Sequence, residues 1–161
     1  MVKLYGYSRH LVETPTDRDG SAHVTGQWFL DGAGDYRPPA GRSEFLAAVV
    51  HHGGAGSTGE ELRAGKPTVV CPFFGDQPFW GRRVHALGVG LRPIPQKRLT
   101  SEALAEAIRA AVADEGMHRR ASELGEKIRA EDGVRRAVEI VEDQLCRTRA
   151  RPRMAGGGGA A

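Results

Sequence analysis

Cysteine is scarce in this chain. Only Cys71 and Cys146 occur among 161 residues, too few for a disulfide framework and in keeping with a reducing compartment. Long apolar runs are missing too. No window approaches the ~18 residues of a membrane-spanning helix. The opening Met-Val-Lys-Leu-Tyr-Gly-Tyr-Ser-Arg-His has no apolar stretch of signal-peptide length. A soluble, cytoplasmic protein with at most peripheral membrane contact is the expectation. Charge of one sign is also lacking: 23 Lys and Arg against 20 Asp and Glu leave +3, too little to call for a nucleic-acid partner. No internal repeat of fixed period occurs. The length suits about one domain and is short for an enzyme that holds two substrates between lobes.

What is present is unevenly placed. Residues 1–46 are polar and rich in Gly, Pro and Asp, with one aromatic cluster, Gln27-Trp28-Phe29-Leu30, ahead of a Gly-Ala-Gly-Asp-Tyr-Arg-Pro-Pro stretch. Proline pairs favour extended chain, so this region is expected to be a linker that packs on a neighbour through Trp28 and Phe29, with few elements of its own. From Ala47 the texture changes. Ala-Ala-Val-Val predicts a buried strand ending at a glycine-rich loop, with a helix over 58–64 closed by Gly65. The unit then repeats: a β-branched strand over 68–73, a Gly-Asp-Gln-Pro turn, a helix over 79–87 ended by Gly88, and a short third strand at 89–91. Strands alternating with helices predict an α/β layer with a parallel sheet.

After Pro95 the pattern turns helical. Thr100 or Ser101 is the expected N-cap of a helix with Leu104, Ile108 and Val112 on one face, and a second helix is expected around 117–130. Asp132 is expected to cap a third, in which Val134, Val138, Val141 and Leu145 recur at spacings that predict a packed face. Residues 147–161, Arg-rich and then Gly-rich, predict a disordered tail. Four Arg between 147 and 153 could touch nucleic acid, but no aromatic residues for stacking accompany them.

The loop itself is His51-His52-Gly53-Gly54-Ala55-Gly56-Ser57-Thr58. Glycines between a strand and a helix let backbone N–H groups approach phosphate oxygens, and the helix start presents partial positive charge. Gly53, Gly54 and Gly56 with the Ser57 and Thr58 hydroxyls supply that device, and His52 is placed to donate to a phosphate oxygen. Such loops also make tight turns with no ligand. The surroundings favour an anion: residues 51–100 hold seven Lys or Arg against three acids. Neither a Walker Gly-Lys-[Ser/Thr] nor a dinucleotide Gly-x-Gly-x-x-Gly with its acidic second strand is present. No Gly-x-Ser-x-Gly elbow surrounds Ser57, which disfavours a hydrolase. Neighbouring strand residues point to opposite faces, so His51 and His52 are a poor metal pair, and no metal is expected. His85 is expected on a helix surface, and His10, His23 and His118 in loops or polar helix.

Asp76-Gln77 follows the second strand. In a parallel sheet it lies on the same carboxyl rim as the loop, where ligands of open α/β sheets bind. A carboxylate beside an amide suits the donors and acceptors of sugar hydroxyls. The pair is also good turn chemistry, and Asp76 could simply cap the helix that follows. Glu60 is equally open: the helix dipole favours a carboxylate in the first turn, yet it could reach a ribose diol.

Together these residues resemble sterol glucosyltransferases and the related macrolide and antibiotic glycosyltransferases. The resemblance rests on Val-Val-His-His-Gly-Gly-Ala-Gly-Ser-Thr, Leu-Arg-Ala-Gly-Lys-Pro-Thr and Pro-Phe-Phe-Gly-Asp-Gln-Pro-Phe-Trp-Gly, and extends over most of residues 1–145. It implies a two-lobed GT-B protein of which this chain supplies part of the C-terminal, Rossmann-like donor lobe over 47–146, after an interlobe segment at 1–46. It implies UDP-glucose as the donor substrate, with no separate cofactor, and a sterol, lipid or macrolide-like acceptor. By position, His52 matches the family histidine on the donor diphosphate, Gly56 and Ser57 its phosphate loop, Glu60 the residue near the ribose, and Asp76 and Gln77 the pair on the sugar. The family's acceptor lobe, which carries the general base, has no counterpart here, so no catalytic residue is expected in this chain. After Glu44-Phe45-Leu46 the chain passes directly to Ala47-Ala48-Val49-Val50, where the family has further strands. A junction with an exposed strand edge is therefore expected there, with weak UDP-glucose binding and no turnover by the chain alone. The alternative is a non-catalytic fragment or binding subunit that works beside a separate acceptor lobe.

Overall fold

The computed structural model describes residues 2–14, 16, 20–29 and 46–150. Leu30, Asp31, the proline pair, Glu44-Phe45 and the tail from Arg151 onward lie outside the described residues. The element order is β1 (Lys3–Tyr5), β2 (Ala22–Val24), β3 (Val49–His51), α1 (Ala55–Arg63), β4 (Thr68–Val70), α2 (Gln77–Ala86), a 3-10 turn (Gln96–Arg98), α3 (Ser101–Ala113), α4 (Glu115–Arg129) and α5 (Gly133–Ala150).

The parallel pairing expected from alternation is present. β3 pairs with β4 in the register Val49↔Thr68, Val50↔Val69 and His51↔Val70. A parallel bridge from Thr68 to Gly90 supplies the expected third position on the other side of β4. β4 is therefore central and fully buried, and it stops at Val70 rather than running to Phe73. Its residues serve two layers in alternation, as the pleat requires. Val69 and Cys71 pack with Ala111, Met117 and Leu104, whereas Val70 faces the Gly53 loop and Gly81 of α2. The outer edge of β3 has no strand partner among the described residues, and Val50 is exposed there.

The larger core lies between α1, α2 and α4, where Leu62, Val84, Val89, Ala121, Leu124 and Ile128 are buried together with Leu11. Gly125 makes the α1–α4 approach possible, since a β-carbon there would sit 2.8 Å from Gly65 Cα and 2.9 Å from the Leu62 carbonyl. Arginines on α4 close the ends of two neighbouring helices. Arg120 Nε donates to the Gly88 carbonyl at 2.8 Å, and Arg129 donates to the Arg63 carbonyl, placing positive charge where helix dipoles are negative. Gly65 and Gly88 end α1 and α2 at φ +69° and +67°, as the sequence predicts.

Other boundaries and faces differ from expectation. α1 begins at Ala55, three residues before the predicted start, because its N-cap is Gly54, which has no side chain to announce it. Likewise α2 begins at Gln77 and α4 at Glu115, and His23 lies in β2. On α3 the packed face is Leu104, Ala107 and Ala111, while Ile108 and Val112 are exposed. Close approach to β4 selects the small residues over the neighbouring large ones. The α5 stripe of Val134, Val138, Val141 and Leu145, predicted to pack, is 43–53% exposed. A 3.6-residue period specifies one apolar face without supplying what covers it.

The amino-terminal segment is more structured than a bare linker. β1 and β2 form their own parallel pair. Trp28 folds back so closely that a β-carbon at Gly6 would lie 2.7 Å from its ring, and its indole N–H donates to Thr25 Oγ1 at 2.8 Å. Phe29 reaches the core as expected, with the Arg63 guanidinium 4.4 Å from its ring centroid. No helix among the described residues is long and apolar enough to cross a membrane.

Thr100 is the α3 cap, accepting from the Ala103 amide at 3.1 Å. Thr100→Ala is expected to cost about 1 kcal/mol, measured as a shift in the urea midpoint at constant slope. Asp132 similarly accepts from the Arg135 amide at the start of α5.

Candidate functional site

β3 and β4 run side by side in the same direction, so the loops that leave them share one rim. They also touch. A β-carbon at Gly53 would lie 3.2 Å from the Gln77 carbonyl oxygen and 2.5 Å from Val70 Cγ1. Gly53 adopts φ +86°, a region that favours glycine, so this crossing depends on Gly at that position. The loop after β3 and the N-terminus of α2 are thereby brought together.

α1 opens toward the rim. Its first intrahelical bond runs from the Thr58 amide to the Gly54 carbonyl at 2.9 Å, so the amides of Ala55, Gly56 and Ser57 come before the ladder and lack intrahelical acceptors. No side chain caps this end, and no acid occupies its first turn. Ala55 and Gly56 are exposed and Ser57 is half-buried. His52 is exposed, and its Nε2 would lie 2.6 Å from a β-carbon at Gly54. Gly54 is what lets the imidazole rest against the helix start. Unpaired donors, a helix dipole and an imidazole together make a place for an anion such as a phosphate.

The other predicted residues divide. Thr58 lies on the buried side of α1, with its hydroxyl out of solvent reach and without a hydrogen-bond partner, whereas Ser57 is half-buried. Glu60 is exposed and 3.9 Å from Arg63 Nη1. Asp76 is exposed on the rim. It does not cap α2 with its side chain, and its Oδ2 accepts instead from the Trp80 indole at 2.8 Å. Gln77 is buried, and its Oε1 accepts from the Phe73 and Phe74 amides at 2.8 and 3.2 Å. That oxygen is committed to shaping the turn, leaving the Nε2 group as the remaining polar function of Gln77. Phe73, Phe74 and Phe79 are exposed around the turn.

The His51 and His52 rings lie edge to face, with centroids 6.2 Å apart and planes at 80°. Among the described residues no three His, Cys, Asp or Glu side chains converge to hold a metal ion. Burial pushes the Cys71 thiol above its ordinary value, so at neutral pH it is a protonated core residue.

Sequence reasoning missed one participant. Glu61 Oε2 lies 2.6 Å from His51 Nε2, with both side chains largely buried, and Gly53 donates its amide to His51 Nδ1 at 3.1 Å. A Glu ten residues beyond a strand-end His carries no local signal of that contact.

Comparisons with known proteins agree with this architecture. Residues 43–144 match the family described as Erythromycin biosynthesis protein CIII-like, C-terminal domain. O-mycaminosyltylonolide 6-deoxyallosyltransferase of Streptomyces fradiae is 31% identical over 207 residues, a match covering 87% of this chain and 49% of that protein. Sterol 3-beta-glucosyltransferase of Emericella nidulans is 52% identical over 100 residues, covering 62% of this chain and 7% of the relative. Among solved structures, the glycosyltransferase of kitacinnamycin superposes with a TM-score of 0.60 at 28% identity, over 88% of this chain and 34% of its own. Spinosyn rhamnosyltransferase SpnG complexed with thymidine diphosphate gives 0.53 at 26% identity, over 60% and 26%. The chain thus spans about half the length of the Streptomyces enzyme and far less of the sterol enzyme. The 207 aligned positions exceed the 161 residues available, so that relative carries a stretch with no counterpart here. The fold is that of part of a GT-B glycosyltransferase.

Proposed function

Because the chain belongs to the Erythromycin biosynthesis protein CIII-like C-terminal domain family, with sterol and macrolide glycosyltransferases among its relatives, we propose that it is the donor-binding half of a nucleotide-sugar-dependent glycosyltransferase. The observation that carries this reading is the open start of α1, where the Ala55, Gly56 and Ser57 amides precede the helix ladder and the His52 ring rests against Gly54. That helix start would take the donor diphosphate, with Glu60 toward the ribose and Asp76 and Gln77 toward the sugar. UDP-glucose is the proposed donor and a sterol, lipid or macrolide-like hydroxyl the acceptor, in a cytoplasmic setting. The glucosyltransferase names among the relatives support the sugar. The thymidine diphosphate named for SpnG makes the nucleobase a point to test.

In that reaction the acceptor oxygen bonds to the anomeric carbon as the bond to the diphosphate breaks. The hydroxyl proton passes to a base on the acceptor lobe, and the charge left on the departing diphosphate meets the α1 amides. A chain that works beside a separate acceptor lobe is the second reading. Co-purification with such a lobe would support that arrangement.

The test is a titration of the 15N-labelled full chain with UDP, thymidine diphosphate and UDP-glucose into the millimolar range. Shifts are expected at the Ala55, Gly56 and Ser57 amides, and His52→Ala should weaken binding about tenfold, the loss of one charge-assisted contact. Unperturbed loop amides in every titration would overturn the site. Glucoside formation, or micromolar UDP-glucose affinity by calorimetry, would overturn the expectation of weak binding and no turnover by the chain alone.

A further inference from the structure

We propose that His51 and Glu61 are positioning residues that hold the loop after β3 in its anion-receiving shape. The proposal rests on the diphosphate reading above and adds a pair of residues that do not touch the ligand. His51 ends β3, where its backbone is tied to β4 through the carbonyl that accepts from the Cys71 amide at 2.8 Å. Its ring turns toward α1. Nδ1 accepts the Gly53 amide proton at 3.1 Å, so that nitrogen carries no proton, and the proton of a neutral imidazole sits on Nε2. Nε2 lies 2.6 Å from Glu61 Oε2. Both atoms are out of solvent reach and neither completes a hydrogen bond, so the 2.6 Å approach is the polar contact each of them has.

The consequence is a relay from helix to loop. Glu61 on α1 stands against the Nε2 edge of His51, and His51 holds the Gly53 amide through Nδ1. Gly53 at φ +86° then directs the chain into Gly54 and the uncapped start of α1. One backbone donor is thus spent on His51 inside the protein, and the following ones are left for a ligand. Carboxylates behind ligand-binding histidines play the same orienting part in metal sites; here the histidine orients a backbone amide.

Long-range 1H–15N spectra of the full wild-type chain should show His51 protonated at Nε2 and bare at Nδ1, and the Gly53 amide should exchange slowly. Glu61→Leu should mix the tautomers, speed Gly53 exchange and weaken UDP about fivefold. Glu61→Gln, whose amide oxygen can still accept from Nε2, should restore affinity to within about twofold at a similar melting temperature. An Nδ1-protonated His51 or fast Gly53 exchange in the wild type would overturn the relay, even if Glu61→Leu fails to fold. So would unchanged UDP affinity in a folded Glu61→Leu variant. If UDP leaves the wild type unperturbed while the tautomer and exchange are as expected, the diphosphate reading fails and the loop-holding role stands.

Discussion

Gly53→Ala is expected to lose about 3 kcal/mol of stability and to abolish the loop's response to UDP. Two costs combine. An L-residue at φ +86° is strained by about 1–2 kcal/mol. The added methyl would also lie 2.5 Å from Val70 Cγ1, inside a fully buried strand, where overpacking costs typically 1–3 kcal/mol. The neighbouring contact is the Gln77 backbone carbonyl at 3.2 Å, which cannot swing aside as a side chain could. The loop must therefore move as a whole, taking its amide away from His51 and its helix start away from Asp76. Urea denaturation and the amide titration check both halves of the expectation. A loss below about 1 kcal/mol with an intact UDP response would show that the loop does not need glycine there.

Leu62→Ala should be comparably destabilising and differ in its functional outcome. Leu62 is fully buried on α1, packed with Ala121, Leu124 and Ile128. Removing its isobutyl group leaves a cavity that Gly125, already in close backbone contact, cannot close. The expected cost is about 3 kcal/mol, seen as a melting temperature lower by on the order of 10 °C. Below the transition, UDP affinity should stay within about twofold of wild type, because the change lies at the far end of α1 from its open amides. Measuring Tm and affinity together separates the two variants: Gly53→Ala lowers both, Leu62→Ala lowers Tm alone. A large loss of affinity in folded Leu62→Ala would mean that the α1–α4 packing sets the position of the helix start.

Several features were legible in the amino-acid order because their causes are local. The β-branched run at 68–70, the glycines at 65 and 88 with positive φ, the Thr100 cap and the Asp132 cap each act within a few residues. The alternation of strands and helices from Ala47 onward implied a parallel sheet, and β3 and β4 form one. The glycine-rich loop was likewise visible, since phosphate-cradling chemistry needs glycines at a strand-to-helix turn and those glycines are consecutive in the chain.

Tertiary contact decided the rest. α1 starts three residues before the point that Ser57-Thr58, with the composition of a cap, implies, because Gly54 caps it without a side chain. Which face of α3 packs was settled by the approach of β4, which admits Ala107 and Ala111 and leaves Ile108 and Val112 outside. The α5 stripe had the period of a packed helix, yet period says nothing about whether another element is present to meet it. Gln77 looked like a free amide and is bound into its own turn. The His51–Glu61 contact joins a strand end to a helix ten residues later, a pairing set by how α1 lies across the sheet. By itself the sequence determined the repeated strand-loop-helix unit and the chemistry of its loop, because both are written in neighbouring residues. Only the folded chain decided which side chains stand behind that loop and which remain open to a ligand, because those roles depend on packing between segments distant in sequence.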